Sequence, residues 1–353
     1  MMKEIGSHFW LEPGTRARKC IDTTVFGAAH DDCVFTTSGR GAISQVLLDI
    51  AQQEKKALLP AFTCDSVIAP FLAHGYTVSF LDIPCDFRIG TKCFVEAVEK
   101  AAPTVILLHN YFGFDTFGRV TEQIAQLRKQ GAVVIEDTTQ SLYSTFGRLE
   151  ADYQVGSFRK WAGLPDGGFA LKKKGKFLKK PEQYDKQLEE ARVAAMQAKF
   201  NYLFDGVGEK TAFLSLYTKA EKILEEQNAV YLMSKRAMAE QANLDINALK
   251  HRRRENFSYL MHNCTESSII PAFRELPDDA VPLYFPIFCH ADRAQVQTKL
   301  RDKDIYAPII WPKSSHVSII EKNTEELYNK LLCLPCDQRY SLDDMKRITD
   351  CLN

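Results

Sequence analysis

The chain carries no excess charge of either sign: 45 basic residues meet 45 acidic ones over 353 positions. A balanced chain has no general attraction to nucleic acid or to an anionic membrane, so neither is expected as a partner. Long hydrophobic runs are also missing, and none approaches the roughly 20 residues that span a bilayer. The opening MMKEIGSHFW has no apolar stretch of the kind a secretory signal carries, so a cytoplasmic protein is expected. Ten cysteines occur without framework spacing and read as reduced thiols. Cys333 and Cys336 form a C-x-x-C pair with no second pair nearby, which favours two core thiols over a zinc site, and no metal is expected. The basic run at Lys172, Lys173, Lys174 and Lys176, continued by Lys179 and Lys180, lacks interleaved aromatics and reads as a solvated loop.

What the chain does have is a regular alternation of short apolar runs with amphipathic stretches. Strands are expected at 33–37, 57–60, 77–82, 104–109, 132–135 and 169–171. Helices are expected at 43–50, 62–73, 94–101 and 118–130. That alternation implies an α/β fold with a mainly parallel sheet flanked by helices. Right-handed crossovers place the strands' C-terminal ends on one side, where ligands bind in open sheets. Residues 182–241 read as helical. From about 249 the pattern is that of a small α+β domain, with a strand at 281–289 whose proline predicts an edge or a kink. A helix at 292–303, a segment at 307–311, a run at 331–337 and a helix at 342–352 complete it. The expected division is an N-terminal arm at 1–20, a large α/β domain at 21–248 with its helical segment 182–248, and a small domain at 249–353.

Most of the chemistry lies between Val133 and Gly168. The run Ala132-Val133-Val134-Ile135 ends on Glu136-Asp137, so it reads as a buried parallel strand delivering a carboxylate at its C-terminal end. Ser157-Phe158-Arg159-Lys160 follows, and Asp166-Gly167-Gly168 leads into the next apolar run. A lysine amine, a carboxylate and a hydroxyl on strand ends suit pyridoxal phosphate (PLP). That cofactor needs a Schiff-base lysine, a carboxylate for its ring nitrogen and donors for its phosphate. Lys160, Asp137 and Ser157 can supply one each. The turn Ser38-Gly39-Arg40-Gly41 enters a helix, and free N–H groups with the positive end of a helix dipole make such a turn a natural phosphate site. Alone, it reads first as an ordinary strand-to-helix turn, because a lone G-x-G is a weak signal.

In this order, Glu136-Asp137, Gln140, Ser157-Phe158, Lys160 and Gly167-Gly168 resemble the DegT/DnrJ family of PLP-dependent sugar aminotransferases. The opening Glu4-Ile5-Gly6-Ser7 with Phe9-Trp10, the loop Asn110-Tyr111-Phe112-Gly113, and Leu334-Pro335 before a helix start at Ser341-Leu342 are similar to the family as well. The resemblance implies fold type I, a seven-stranded sheet and a homodimer. It implies that Lys160 holds the cofactor and moves protons, that Asp137 holds the ring nitrogen, and that Gln140 contacts the ring's hydroxyl side. Ser157 and the turn Gly39, Arg40, Gly41 would hold the phosphate. Three departures accompany it. The Ser-to-Lys spacing is shorter than the family's, and Cys64 stands where the family stacks an aromatic on the ring, leaving Phe62, Tyr111 or Phe112 to cover it. Asn201-Tyr202-Leu203-Phe204 stands where the family has Asn-Tyr-Arg. The expected activity is transfer of an amino group from an amino acid, glutamate by family resemblance, to a keto sugar, nucleotide-linked in the family. The alternatives are a non-catalytic or regulatory protein that keeps the fold, or another PLP reaction such as decarboxylation.

Overall fold

The computed structural model describes residues 4–11, 20–26, 29–51, 54–264, 269–290, 292–317 and 322–352. Of the expected arm, positions 1–3 and 12–19 lie outside the described residues. The chain starts with β1 (Ile5–Gly6), β2 (Asp32–Thr36) and α1 (Gly39–Asp49). The alternation read from sequence follows as β3 (Lys56–Pro60), α2 (Asp65–Ala73), β4 (Thr77–Leu81), α3 (Thr91–Ala101), β5 (Val105–His109), α4 (Thr121–Lys129) and β6 (Val133–Asp137). Next come β7 (Tyr153–Ser157), a single 3-10 turn at Phe158–Lys160, and β8 (Gly168–Lys172). Four helices succeed them: α5 (Lys186–Phe200), α6 (Lys210–Glu225), α7 (Lys235–Ala242) and α8 (Ile246–Asn263). The remainder is β9 (Ile269–Pro271), β10 (Phe285–Cys289), α9 (Arg293–Arg301), β11 (Ile305–Tyr306), α10 (Lys322–Lys330), β12 (Leu331–Leu334) and α11 (Leu342–Leu352).

Seven strands form the main sheet in the order β2-β8-β7-β6-β5-β3-β4. The pairs β3–β4, β3–β5 and β5–β6 are parallel, while β8 runs antiparallel to both β2 and β7. The mainly parallel seven-stranded sheet is therefore present, and β8 runs opposite to the neighbour on each side of it. Every residue of β5 is buried, as expected of an apolar run covered on both faces. No helix among the described residues is long and apolar enough to cross a membrane.

Cα packing groups the chain into two units. The first comprises 1–7, 52–152 and 245–353, and the second 8–51 and 153–244. Within the first unit, β12, β10 and β9 form an antiparallel sheet with β10 in the centre. This corrects the edge position, one of the two readings, edge or kink, of the proline in 281–289. Pro286 carbonyl accepts from Ala272, one residue past the end of β9, so the missing N–H faces a side where that strand has already ended. Gly113, at φ +96°, lies so close to the Val281 carbonyl that an added Cβ would sit 2.0 Å from it. Ser144 Oγ locks that approach by donating to Gly113 and accepting from the Val281 N–H. Cys333 and Cys336 are both buried free thiols, and no group of metal-ligating side chains occurs among the described residues.

Within the second unit, α5 and α6 form a hairpin around Ala195, Met196, Phe213 and Tyr217. A π-turn at Asn201–Asp205 ends α5, and left-handed Gly206 and Gly208 separate it from α6. The stretch read as helical thus consists of separate helices, with a break here and another before α7, whose first turn is capped by Ser234. The lysine run is less solvated than its composition suggests. Lys172 pairs with buried Asp49 at 2.6 Å, and Lys180 with buried Asp32 at 2.6 Å.

Candidate functional site

In the first unit, β5 and β6 end side by side. His109 and Asp137 are Cα partners on the last rung of this parallel pair, so both side chains leave the same face of the sheet. Asp137 is 5% exposed, and its Oδ1 accepts the Thr139 N–H at 2.8 Å. Burial pushes its carboxyl pKa up, partly offset by the bonds from Thr139. Burial pushes the His109 imidazole down to about 3, so the ring is neutral at ordinary pH. Gln140 lies in the turn after β6. Its Oε1 accepts the Phe112 N–H at 2.8 Å, while its Nε2 is buried without a partner among the described residues. Cys64, half-buried, is the N-cap residue of α2, and its sulfur accepts from Ser66 rather than capping the helix.

Four buried side-chain atoms without a partner among the described residues follow three neighbouring strands of this unit: Thr63 Oγ1 after β3, His109 Nε2 at the end of β5, and Gln140 Nε2 and Ser141 Oγ after β6. Buried polar groups are ordinarily paired, because leaving one unpaired costs about 1–3 kcal/mol. These atoms lie at or just past the C-terminal ends of parallel strands, where ligands bind in open sheets, and they offer bonding capacity that an ordered water or a polar ligand completes. Sequence reasoning named no role for His109 or Ser141, and placed Thr63 only in the turn Pro60-Ala61-Phe62-Thr63-Cys64 that resembles the family's. A histidine ending an apolar run is a visible signal; whether its nitrogen is paired is not.

In the second unit the glycines named from sequence come together. Gly39, Arg40 and Gly41 form the first turn of α1, where Ser38 Oγ accepts the Gly41 N–H at 3.1 Å. Gly168 at the start of β8 crosses this turn so closely that a Cβ would lie 2.4 Å from the Ser38 carbonyl carbon and 2.7 Å from the Gly39 nitrogen. Arg40 Nε is buried without a partner among the described residues. Ser157 ends β7 and donates to the Gly167 carbonyl at 3.4 Å, a long bond that leaves the hydroxyl able to take a better partner. Lys160 closes the 3-10 turn one step later and is exposed. Its neighbour Arg159 is held by Glu221 of α6 at 2.8 Å. This unit therefore holds a helix start, a buried unpaired arginine nitrogen and the Ser157 hydroxyl, groups of the kind that bind anions, and also carries the exposed Lys160 amine.

No family model matches the sequence, and no curated protein matches it. Solved structures do. The aminotransferase TlmJ from Streptoalloteichus hindustanus is 16% identical at a TM-score of 0.65, with 91% of this chain and 84% of that one covered. NtdA from Bacillus subtilis with bound cofactor PMP is 18% identical at 0.63, covering 92% and 73%. Helicobacter pylori PseC, an aminotransferase involved in the biosynthesis of pseudoaminic acid, is 14% identical at 0.67, covering 99% and 98%. Likeness over this much of both chains, at identities this low, is likeness of fold. The chain has the fold type I architecture of the PLP-dependent transferases.

Proposed function

We propose that the chain is a PLP-dependent aminotransferase, a divergent relative of the DegT/DnrJ sugar aminotransferases. The observation that carries this reading is the set of buried, unpartnered polar atoms after β3, β5 and β6, beside an Asp137 that no cation neutralises among its described partners. A protonated ring nitrogen is the partner such a carboxylate lacks. The glycine-built start of α1, with Arg40 Nε unpaired, fits a phosphate in the same way.

Bound PLP supplies an electron sink that stabilises negative charge on a substrate carbon. Lys160 would hold the cofactor covalently through its amine and then carry the proton between the substrate carbon and the cofactor. Asp137 would keep the ring nitrogen protonated, and Gln140 Nε2 would donate to the ring's hydroxyl side. Ser157, Gly39, Arg40 and Gly41 would hold the phosphate. Cys64, at the start of α2, would border the ring without supplying an aromatic face. The substrates of this reading are an amino acid donor, glutamate by family resemblance, and a keto sugar as acceptor, nucleotide-linked in the family. A homodimer in the cytoplasm, and the division into arm, domain 21–248 and domain 249–353, belong to the same reading.

The test is an absorbance titration of the purified protein with PLP, wild type beside Lys160→Ala, followed by glutamate. A protein-bound cofactor band that requires Lys160 and shifts on adding glutamate supports cofactor, lysine and donor together. A band in both proteins moves the assignment to another lysine. A wild type that binds no cofactor leaves the fold serving a non-catalytic role.

A further inference from the structure

We propose that Trp311 forms the aromatic wall against the cofactor's ring in this chain, a role that position 64 no longer fills; the proposal rests on the reading above. The three aromatics that could cover the ring in place of Cys64 are all committed to the core. Phe62 is 2% exposed and packs against Tyr111 and Tyr328, with ring centroids 5.8 and 4.9 Å away. Tyr111 is fully buried and spends its hydroxyl on the Phe62 carbonyl. Phe112 is fully buried as well, with its N–H held by Gln140.

Trp311 differs from them in place and in exposure. It stands in the extended stretch after β11, and its ring meets Phe62 at 5.1 Å and His109 at 5.7 Å, edge-on in both cases. Among the described residues, it is the one ring touching Phe62 or His109 that is left half-buried. His109 in turn shares the last rung of the sheet with Asp137, and its Nε2 is buried without a partner among the described residues. The indole therefore leans on His109, the residue paired with Asp137, and is not fully covered by its neighbours. A planar cationic heterocycle bound at Asp137 suits the face of a tryptophan better than that of any other side chain. An indole serving only as a cover for Phe62 would contribute bulk, and leucine would replace that bulk tolerably; stacking needs an aromatic plane.

The experiment compares wild type, Trp311→Phe, Trp311→Leu and Trp311→Ala by equilibrium dialysis against PLP, with the thermal midpoint of each cofactor-free protein measured alongside. Trp311→Leu and Trp311→Ala are expected to bind PLP about tenfold more weakly, and Trp311→Phe within about threefold of wild type. The Leu variant keeps the test valid if the Ala variant fails to fold. Wild-type affinity in Trp311→Leu overturns the proposal and leaves the aminotransferase reading standing. A wild type that retains no PLP overturns both.

Discussion

Glu221 on α6 accepts a hydrogen bond from each of two guanidiniums, Arg159 at 2.8 Å and Arg192 at 2.9 Å. Burial alone raises the Glu221 carboxyl pKa, but the two cations outweigh it and hold the group down to about 2. Arg159 directly precedes Lys160, so this carboxylate fixes the turn that presents the amine. Only Phe158 and Arg159 separate Ser157 from Lys160, which leaves little chain for the turn to reposition itself once that tie is lost.

Glu221→Gln is therefore expected to destabilise the protein by about 1–3 kcal/mol, toward the lower end because the carboxylate side chain is 40% exposed. The pH dependence follows from the depressed folded-state value. Stability from this group is fully present above the ordinary glutamate value of 4.5 and is lost as pH falls toward about 2. Urea unfolding between neutral pH and pH 3 checks it: wild type declines on acidification by more than the variant does.

Asp166 gives the opposite sign. It is 1% exposed, accepts the Ser234 N–H with both oxygens at 3.1 and 3.2 Å, and is pushed up to about 7 by burial, against the lowering effect of those bonds. Its folded-state pKa lies above the ordinary 3.8, so its contribution is full below that value and is lost as pH rises through about 7. Asp166→Asn removes this slope. Wild type is expected to lose on the order of a few kcal/mol between about pH 4 and pH 7 through this group, and the variant to show a flatter profile over the same interval. Denaturant midpoints at four or five pH values decide it.

Gly168 tests the phosphate cradle by shape alone. The atoms an added Cβ would strike are backbone atoms of Ser38 and Gly39, which cannot swing aside. Gly168→Ala is expected to cost about 3 kcal/mol and to abolish retention of PLP on desalting. Gly147→Ala is the control. Nothing lies within 4 Å of its added Cβ, so a change within about 0.5 kcal/mol is expected.

The parallel part of the sheet was legible because β3, β5 and β6 are apolar runs buried on both faces, and such runs end where ligand chemistry begins. β7 was not. Its sequence Tyr-Gln-Val-Gly-Ser carries no hydrophobic run, yet all five residues are buried, and Gln154 is satisfied by the Lys173 ammonium at 3.2 Å. Pairing between β1 and β11, some 300 residues apart in the chain, leaves no local pattern to read. Pro286 misled because an edge strand is only one way to hide a missing N–H, and a neighbour that stops one residue short is another. Of the proposed site, Asp137, Ser157 and Lys160 were nameable from residue type and place, and Gln140 from the family resemblance. His109, Thr63 and Trp311 were not, since what distinguishes them is an unpaired nitrogen, an unpaired hydroxyl and a half-covered ring, all properties of packing.

The most direct measurement of the central claim is to incubate the protein with PLP, reduce with borohydride and map the modified peptide by mass spectrometry. Reduction freezes the lysine–cofactor linkage where it formed. The expected result is a single pyridoxyl group on Lys160, absent from Lys160→Ala. A label spread over surface lysines, a label on a different single lysine, or no label at all would contradict the account.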